Sequence, residues 1–335
     1  MRVLHFTAMW PTRQNPTSGT FVKTLVDGLQ RTAGQHDVLV VPAAQTKSAY
    51  LAAFASLRRR LRLQHYDLIH AQYAHCALIA ALVSPIPVIA HYHGEFGLRD
   101  GNRGFADWRL TLNHLDNRKD TVLARLSSML VRGAIVVNSR DLNRIASPFR
   151  AVIPIGPDEE LFVPMLREKA CALLRWNPSP LRVLFPSSPR RIEKDYPLFT
   201  KTVEELRRQG LDVEPVVLEG VPYDRVPLYM DAVDLMLLTS HTEASATVVK
   251  EANLCNLPVV ACPVGDTLQQ LAGISPGGVV AALPEELAAA ASSILLARTR
   301  SNGRATAITT WGLKQTVRKV LDFYRCVTTG EPREQ

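Results

Sequence analysis

The sequence lacks several features that mark secreted, membrane-spanning and redox proteins. Its 335 residues include five cysteines, which are scattered, odd in number and without a C-x-x-C pair. This pattern argues against a disulfide framework or a zinc site and favours a reducing cytoplasm. No apolar run reaches the roughly 18 residues of a membrane span, and no long apolar segment follows the first strand. We therefore predict neither a transmembrane anchor nor a signal peptide.

Two nucleotide-binding signatures are also absent. The chain contains no Gly-x-Gly, which disfavours a dinucleotide dehydrogenase, and it contains no P-loop. A periplasmic binding protein of two domains is disfavoured because no signal peptide is predicted. The remaining composition, with 47% apolar residues, is that of an ordinary globular chain long enough for two domains.

Positive charge is concentrated in the first half of the chain. The net charge is +8, and residues 1–165 hold nearly all of the excess together with most of the histidines. Such a bias favours an anionic partner, namely a membrane surface, a lipid-linked phosphate or a nucleic acid. The basic run at residues 58–62 suits either a solvated helix end or attraction to an anionic membrane. The run lacks interleaved aromatic residues, so we predict that no nucleic acid is a partner. A basic nucleic-acid-binding protein is the alternative function.

Short apolar runs alternate with amphipathic helical patterns along the whole chain. This alternation predicts parallel strands covered by helices, and hence an α/β protein with two doubly wound, Rossmann-like sheets. We divide the chain into an N-terminal domain at residues 1–160, a C-terminal domain at 161–308, and a final helix and tail at 309–335. The final helix is predicted over residues 308–326, and its packing back on the N-terminal domain is left open.

The most informative stretch is residues 239–260, which follow an apolar strand at 233–238. Glu243 is expected beyond the carboxyl end of that strand, where open α/β sheets bind ligands, and Glu251 is expected on the next helix. Two carboxylates suit sugar hydroxyls, and the amides at a helix start favour phosphate. The alternative is a solvated acidic loop followed by a glutamate on a helix surface.

The bounds of that helix follow from its capping residues. Ser245 and Thr247 are both candidates for the N-cap, and Val248 follows in the first turn. Asn256 suits a left-handed exit at about residue 255, and Pro258 prevents continuation of the helix.

Two further loops carry residues suited to phosphate. Arg190, Arg191 and Lys194 follow a strand in the second half and supply the positive charge that a diphosphate leaving group needs. Gly19 precedes a helix in the first half, where it lets the backbone approach a ligand. A solvated basic loop and a plain turn glycine are the alternatives.

Histidines cluster near predicted strand ends in the first half. His70, His75 and His93 suggest metal ligands, but two of them share one loop and no carboxylate has clear ligand spacing, so we predict no metal site. His93 is followed by Gly94, which leaves bare backbone beside it, and this favours a hydrogen bond from the histidine to a sugar.

The order and spacing of these motifs resemble glycosyltransferase family 4, whose members are retaining enzymes of GT-B fold. The matching segments of the first half are PTSGTFV (16–22), DLIHA (67–71), HG (93–94), NS (138–139), IPIGPD (153–158) and ELF (160–162). Those of the second half are RRIEK (190–194), VPLYMDAVDL (226–235), the two glutamates with seven residues between them, and CNLPVV (255–260). The segments FPSSP (185–189), KEA (250–252) and VGD (264–266) look most like the branch that includes teichuronic-acid and capsular-polysaccharide transferases.

The resemblance implies roles for the matching residues of the C-terminal domain. Glu243 would contact the donor sugar, and Glu251 would bind the ribose hydroxyls of the nucleotide. Lys194 would neutralise the diphosphate together with Arg190, or with Arg191, since the shortened spacing leaves the choice open. The donor is expected in a cleft across which the two domains face each other, bound mostly by this domain.

In the N-terminal domain, the resemblance implies that Gly19 lets a loop close over the diphosphate and that His93 approaches the sugar. The acceptor would bind the cleft face of this domain. The sequence departs from the family where residues 244–246 read Ala-Ser-Ala, because a glycine usually follows the first glutamate. Ala244 takes a positive φ less readily than glycine, so we expect this loop to bend differently around the sugar. Ile155 stands where an asparagine is common.

We predict a retaining, metal-independent hexosyltransferase that uses a nucleotide-diphosphate sugar and no cofactor. The acceptor is expected to be a glycan or a lipid-linked molecule in cell-surface polysaccharide biosynthesis, and the location cytoplasmic, with peripheral contact to the inner membrane face left open. A nucleotide-sugar epimerase of GT-B fold is the alternative, and the base, sugar, acceptor and linkage stay open. The predicted catalytic residues are Glu243, His93, Lys194 and Arg190, and the predicted substrate-binding residues are Gly19, Glu251, Ser245, Thr247, Val248 and Arg191.

Overall fold

The computed structural model describes residues 1–41, 48–94 and 108–331, without the side chains of residues 48, 50 and 108–118. Within these limits the chain forms two compact units. Among the described residues, the first unit comprises 1–41, 48–94, 111–155 and 313–331, and the second comprises 108–110 and 156–312. Each unit contains one parallel sheet flanked by helices, so the predicted α/β class with two doubly wound sheets is confirmed.

The described residues form strands and helices that alternate along the chain. The strands are β1 (Arg2–Thr7), β2 (Gln35–Val40), β3 (Leu68–Gln72), β4 (Val88–Tyr92), β5 (Gly133–Val136), β6 (Phe149–Val152), β7 (Leu181–Phe185), β8 (Val213–Val217), β9 (Leu235–Leu238), β10 (Val259–Ala261) and β11 (Gly278–Val279). The helices are α1 (Thr20–Thr32), α2 (Ser48–Leu63), α3 (Ala74–Val83), α4 (Trp108–Leu130), α5 (Arg167–Leu174), α6 (Tyr196–Arg208), α7 (Val226–Ala232), α8 (Thr247–Leu254), α9 (Thr267–Gln270), α10 (Pro284–Ala297), α11 (Gly303–Thr306) and α12 (Leu313–Thr329). Short 3-10 turns lie at Ser139–Arg144, Ile192–Lys194 and Tyr223–Arg225.

The two sheets share one plan. The first has the strand order β2-β1-β3-β4-β5-β6 and the second has the order β11-β10-β9-β7-β8. Neighbouring strands in both sheets pair in parallel, for example β7 with β9 through Val183 and Leu235. Parallel sheets are covered on both faces, which explains why central strands such as β9 are apolar and buried along their whole length.

The last helix belongs to the first unit. Leu313, Val317 and Phe323 of α12 are buried in one cluster with Leu25 and Leu29 of α1. These apolar residues recur at helical spacing, so one face of α12 covers the sheet while the other faces solvent.

Two details of the sequence interpretation are wrong, and each has a local cause. The final helix does not begin at residue 308, since a separate turn over Ala307–Trp311 ends at Gly312 before α12 begins. The N-cap of α8 is Ala246, without a side-chain capping bond, because Ser245 bonds elsewhere and Thr247 is already helical. The left-handed exit at Asn256 is confirmed by its φ of 52°.

A row of histidines crosses the first sheet. His5 of β1 lies opposite His70 of β3 in the register, and the ring of His70 stacks on that of His91 in β4. All three side chains are fully buried. His36 of β2 extends the row, with 3.0 Å between its Nδ1 and Nε2 of His5. His70 is thus a core residue, and His75 lies on α3 rather than in a strand-end loop.

Two absences hold for the residues that the structure describes. No helix among them is both long and apolar enough to span a bilayer. No group of three or more histidine, cysteine, aspartate or glutamate side chains among them is arranged to hold a metal ion.

Candidate active site

The candidate site of the second unit lies where the order of its strands reverses. β7 and β9 are neighbours, and the strands that follow each of them lie on opposite sides of the sheet. Open α/β sheets bind ligands at such a point, beyond the carboxyl ends of the strands. The loop after β7 carries Arg190, Arg191 and Lys194, and the loop after β9 leads through Glu243 to α8.

Lys194 and Glu243 form an ion pair at this edge. The distance from Lys194 Nζ to Glu243 Oε1 is 2.5 Å, and the two side chains are only 14% and 12% exposed. Ser240 Oγ donates a second hydrogen bond to the same carboxylate oxygen, at 2.8 Å. The structure therefore brings together two residues that are 49 positions apart in the sequence.

Backbone contacts hold the two loops in register. The Thr239 hydroxyl lies within hydrogen-bond distance of the carbonyl oxygens of Lys194 and Asp195, at 3.0 and 3.1 Å. The amide of His241 donates to the carbonyl of Glu193 at 2.9 Å. The position of the Lys194–Glu243 pair is thus fixed by both strands' loops and not by the two side chains alone.

Glu251 lies in the second turn of α8 and is buried. Its Oε1 accepts a hydrogen bond from the Tyr223 hydroxyl at 3.0 Å. Burial raises the pKa of Glu251 to about 7, although the Tyr223 bond and the charge of Lys250 oppose the rise. A carboxyl group that titrates near neutral pH at the edge of a sheet is a common property of functional sites.

The start of α8 holds the remaining residues predicted on this helix. Thr247 and Val248 form its first turn and are half-buried. Ser245 precedes the helix, and its hydroxyl donates to Asp266 Oδ2 at 2.7 Å. The first amides of α8 have no side-chain cap, which suits them to an anionic ligand.

The two arginines pair with carboxylates other than Glu243. Arg190 is 88% exposed, with its Nε 3.7 Å from Glu219. Arg191 donates from its Nε to Glu193 at 2.7 Å. Both pairs are on the surface, where ion pairs stabilise a protein little. Each arginine is therefore held only weakly by its present partner, and the geometry does not favour one over the other.

In the first unit, Gly19 and His93 lie at the carboxyl edge of the sheet. Gly19 begins α1 with a φ of 64°, and a Cβ there would lie 2.5 Å from the carbonyl group of Met9. Only glycine therefore permits this close approach of two backbone segments. The ring of Phe21, in the first turn of α1, packs edge-on against His93 with 4.9 Å between ring centroids.

The imidazole of His93 is held as a neutral ring. Burial lowers its pKa well below the ordinary value, and the neighbouring His91 adds to the effect. The 2.7 Å contact between His93 Nε2 and Gln72 Oε1 places the proton on Nε2, because the amide oxygen is an acceptor. Nδ1 is then the acceptor nitrogen of His93.

Several residues of the site escaped the sequence interpretation. Tyr223 is a single polar residue without a motif, and only the fold brings it to Glu251. Ser240 lies in the stretch 239–260, three positions before Glu243, but no role was predicted for it. Lys250 and Asp266 stand in the KEA and VGD segments that marked the resemblance, but no role was predicted for them.

Two segments of the chain match known protein families. Residues 18–154 match Glycosyltransferase Family 4, and residues 193–296 match Glycosyl transferases group 1. The two matches lie in different halves of the chain and together cover most of it. They identify the chain as a glycosyltransferase and support the predicted resemblance to family 4. None of the curated proteins matches the sequence.

Solved structures with the same fold are distant in sequence. Sucrose-phosphate synthase from Thermosynechococcus elongatus is 16% identical, with a TM-score of 0.73, over 99% of this chain and all of that one. HepE from Anabaena, in complex with UDP and glucose, is 16% identical with a TM-score of 0.67, over 97% of this chain and all of that one. The catalytic domain of starch synthase IV from Arabidopsis thaliana, bound to ADP and acarbose, is 11% identical with a TM-score of 0.71, over 98% and 99%. These likenesses confirm the predicted GT-B fold.

Proposed function

We propose that this glycosyltransferase transfers a hexosyl unit from a nucleotide-diphosphate sugar and retains the configuration at the anomeric carbon. The observation that carries the proposal is the largely buried pair of Lys194 and Glu243 at the strand-order reversal, next to a helix that bears the buried Glu251. One cation and one carboxyl group on adjoining loops, with a second carboxyl group on α8, match a diphosphate, a sugar and a ribose. The relation to HepE, which was solved with UDP and glucose, adds support.

The ion pair provides a way to couple donor binding to positioning. An arriving diphosphate would compete for Lys194, which would exchange one carboxylate oxygen for a phosphate oxygen. Glu243 would then be released to accept hydrogen bonds from sugar hydroxyls, while Ser240 keeps its orientation. After such a swap Lys194 is paired with a phosphate and Glu243 is hydrogen-bonded to Ser240 and to sugar hydroxyls, which matters because a largely buried charge without any partner is strongly unfavourable.

The chemistry would rely on charge stabilisation of the leaving group. As the glycosidic bond to phosphate breaks, negative charge grows on the diphosphate, and Lys194, one arginine and the first amides of α8 would stabilise it. No metal ion or cofactor enters this proposal. For the neutral His93 we propose the role that the resemblance implies, a hydrogen bond to the sugar.

The acceptor we propose is a glycan or a lipid-linked molecule of a cell-surface polysaccharide pathway. Support comes from the basic first half of the chain and from α2, whose residues Arg58, Arg59 and Leu63 are exposed. A basic helix end with an adjoining exposed leucine suits the surface of an anionic membrane. Sedimentation with anionic and with neutral vesicles would measure that contact.

Nucleotide binding tests the proposal directly. Wild-type protein is titrated by calorimetry with a panel of nucleoside diphosphates and their sugars, beginning with UDP and UDP-glucose. We expect Lys194→Ala and Glu251→Ala to lower the affinity for the preferred nucleotide by about ten- to hundredfold, since each loses a contact worth about 1.5–3 kcal/mol. Lys201→Ala and Glu204→Ala, at exposed positions of α6, are matched controls and should bind normally.

Two results would contradict the proposal: no binding of any member of the panel, or full affinity in both site variants. Once the donor is known, product analysis with and without an acceptor separates transfer from epimerisation. The anomeric configuration of the product then tests retention.

A further inference from the structure

A second polar cluster lies beneath the loop of residues 243–246. It consists of Ser245, Lys250, Asp266 and Gln270, and we call it the Lys250 network. Lys250 is 1% exposed and Gln270 is fully buried, although both are polar. Buried polar groups are unfavourable unless they bond one another, so the bonding of this cluster is informative.

The hydroxyl of Ser245 is the centre of the network. It accepts hydrogen bonds from Lys250 Nζ at 2.8 Å and from Gln270 Nε2 at 3.3 Å. Its own proton goes to Asp266 Oδ2 at 2.7 Å. A hydroxyl has one donor and two acceptor positions, and all three are taken. The hydroxyl therefore has no remaining position from which to bind a substrate.

The turn that carries Asp266 also packs closely, through its backbone, against the loop of residues 243–246. Gly265 has a φ of 56°, and a Cβ there would lie 2.8 Å from the Glu243 carbonyl oxygen and 3.0 Å from that of Ala244. Asp266 is further fixed by Gln270 Nε2, which donates to its Oδ1 at 2.6 Å. The loop is thus held from below by one backbone contact and one side-chain bridge.

The network places opposite charges on either side of one hydroxyl. The Lys250 ammonium lies 5.5 Å from the centre of the Trp311 ring, which gives it a second favourable neighbour. Burial raises the pKa of Asp266, and the charge of Lys250 is the main opposing influence. A buried charge pair is seldom more stable than an apolar replacement of the same size, so a stabilising role alone does not explain it.

We propose that Lys250 and Asp266 are positioning residues, which fix the loop of residues 243–246 around the donor sugar by acting through Ser245. Ser245 would present its backbone to the sugar, and its hydroxyl would serve the network. This arrangement replaces the glycine-bearing loop of the family, because the side-chain bridge holds a loop that contains Ala244 and Ala246. The inference deepens the proposed function and rests on it where the sugar is concerned.

Hydrogen exchange tests the positioning without any ligand. In Lys250→Met the segment of residues 243–248 should exchange its amides faster than in the wild type, by about tenfold or more, while peptides from β7 should be unchanged. The single variant leaves the Asp266 carboxylate buried without its cation, which could prevent folding. The double variant Lys250→Met/Asp266→Asn removes both charges and therefore tests the same loop without a buried unpaired charge. Unchanged exchange of the loop in both variants would overturn the proposal.

Ligand affinity provides the second arm. Lys250→Met should weaken UDP-glucose, or the preferred nucleotide sugar, by about tenfold and leave the nucleoside diphosphate within about twofold, because Lys194 and Glu251 remain in place. Equal weakening of both ligands would argue for general structural damage and against positioning. If the wild type binds no nucleotide at all, the proposed function fails, whereas the exchange experiment still decides on the network.

A mutant cycle distinguishes positioning from direct contact. Ser245→Ala should reduce kcat/KM about tenfold in the wild type but cause no further loss in the Lys250→Met/Asp266→Asn background. Ser245→Thr keeps the hydroxyl and should restore most of the activity. If Ser245→Ala causes the same loss in both backgrounds, its hydroxyl touches the sugar directly and the proposal is wrong.

Discussion

Acidification should destabilise the first unit, because the histidine row of its sheet is buried in the neutral state. His5, His70 and His91 lie on three neighbouring strands, and no carboxylate of the described residues raises the pKa of these three. His36 faces His5, and the Tyr324 hydroxyl of α12 lies 2.6 Å from His70 Nδ1. Protonation would therefore place positive charges beside one another in an apolar sheet.

The size of the effect follows from proton linkage. Burial lowers the pKa of His5 and of His91 to about 3, with the charge of His36 as a second cause for His5. The unfolded chain binds these protons at about pH 6.5, so it carries more protons than the folded chain at any pH between the two values. Stability is complete above about pH 6.5 and falls as the pH falls towards 3. At pH 5 each of the two histidines should lower the free energy of unfolding by about 2 kcal/mol.

Together these two residues remove about 4 kcal/mol at pH 5, a large share of the roughly 5–15 kcal/mol of a typical protein. Hydrogen exchange of peptides from β1 and β4, corrected for the intrinsic pH dependence of exchange, would report the loss, with β7 and β9 of the second unit as internal controls. His91→Gln should lower the pH slope by about 1.4 kcal/mol per pH unit. His65→Gln, at a side chain that is 86% exposed, should leave it unchanged. Equal protection of β1 and β4 at pH 7.5 and pH 5 would refute the reasoning.

Two further predictions concern the candidate site. Because the pKa of Glu251 is about 7, its carboxylate form is lost as the pH falls, and nucleotide affinity should drop about tenfold from pH 8 to pH 6 in the wild type but not in Glu251→Gln, as measured by calorimetry. Gly19→Ala combines a left-handed φ with a clash against Met9, and it should destabilise the first unit by about 1–3 kcal/mol in urea denaturation. Gly210→Ala has a comparable φ of 87° but nothing within 4 Å, so a loss of equal size there would show that the clash is unimportant.

Much of the fold could be predicted because its signals are local. Strands of a parallel sheet are buried on both faces, so each appears as a short apolar run between polar residues, as at β9. The exit of α8 at Asn256 is also a local signal, because a left-handed residue two positions before Pro258 needs no distant partner. The start of the last helix was misjudged because apolar spacing continues across Gly312, although the backbone does not remain helical there.

The partners of the site residues depend on distant segments, and sequence patterns do not contain them. Lys194 and Glu243 were both expected near the donor, yet their ion pair follows only from the adjacency of β7 and β9. Tyr223, which bonds Glu251, comes from a short turn before α7 with no signature of its own. Sequence motifs can therefore suggest which groups a site contains, but the order of the strands in the sheet determines which of these groups come into contact.

Ser245 shows a more specific limit of reasoning from residue types. A serine at the start of a helix, beside a glutamate of the site, is reasonably assigned to the N-cap or to a substrate. Both assignments assume that its hydroxyl is available, and availability depends on Lys250, Asp266 and Gln270, which lie up to 25 positions away. The two charged residues compete for the hydroxyl more strongly than a neutral backbone amide does, since charge-assisted bonds are the stronger ones. The capping bond is therefore forgone, and the first amides of α8 remain available for an anion.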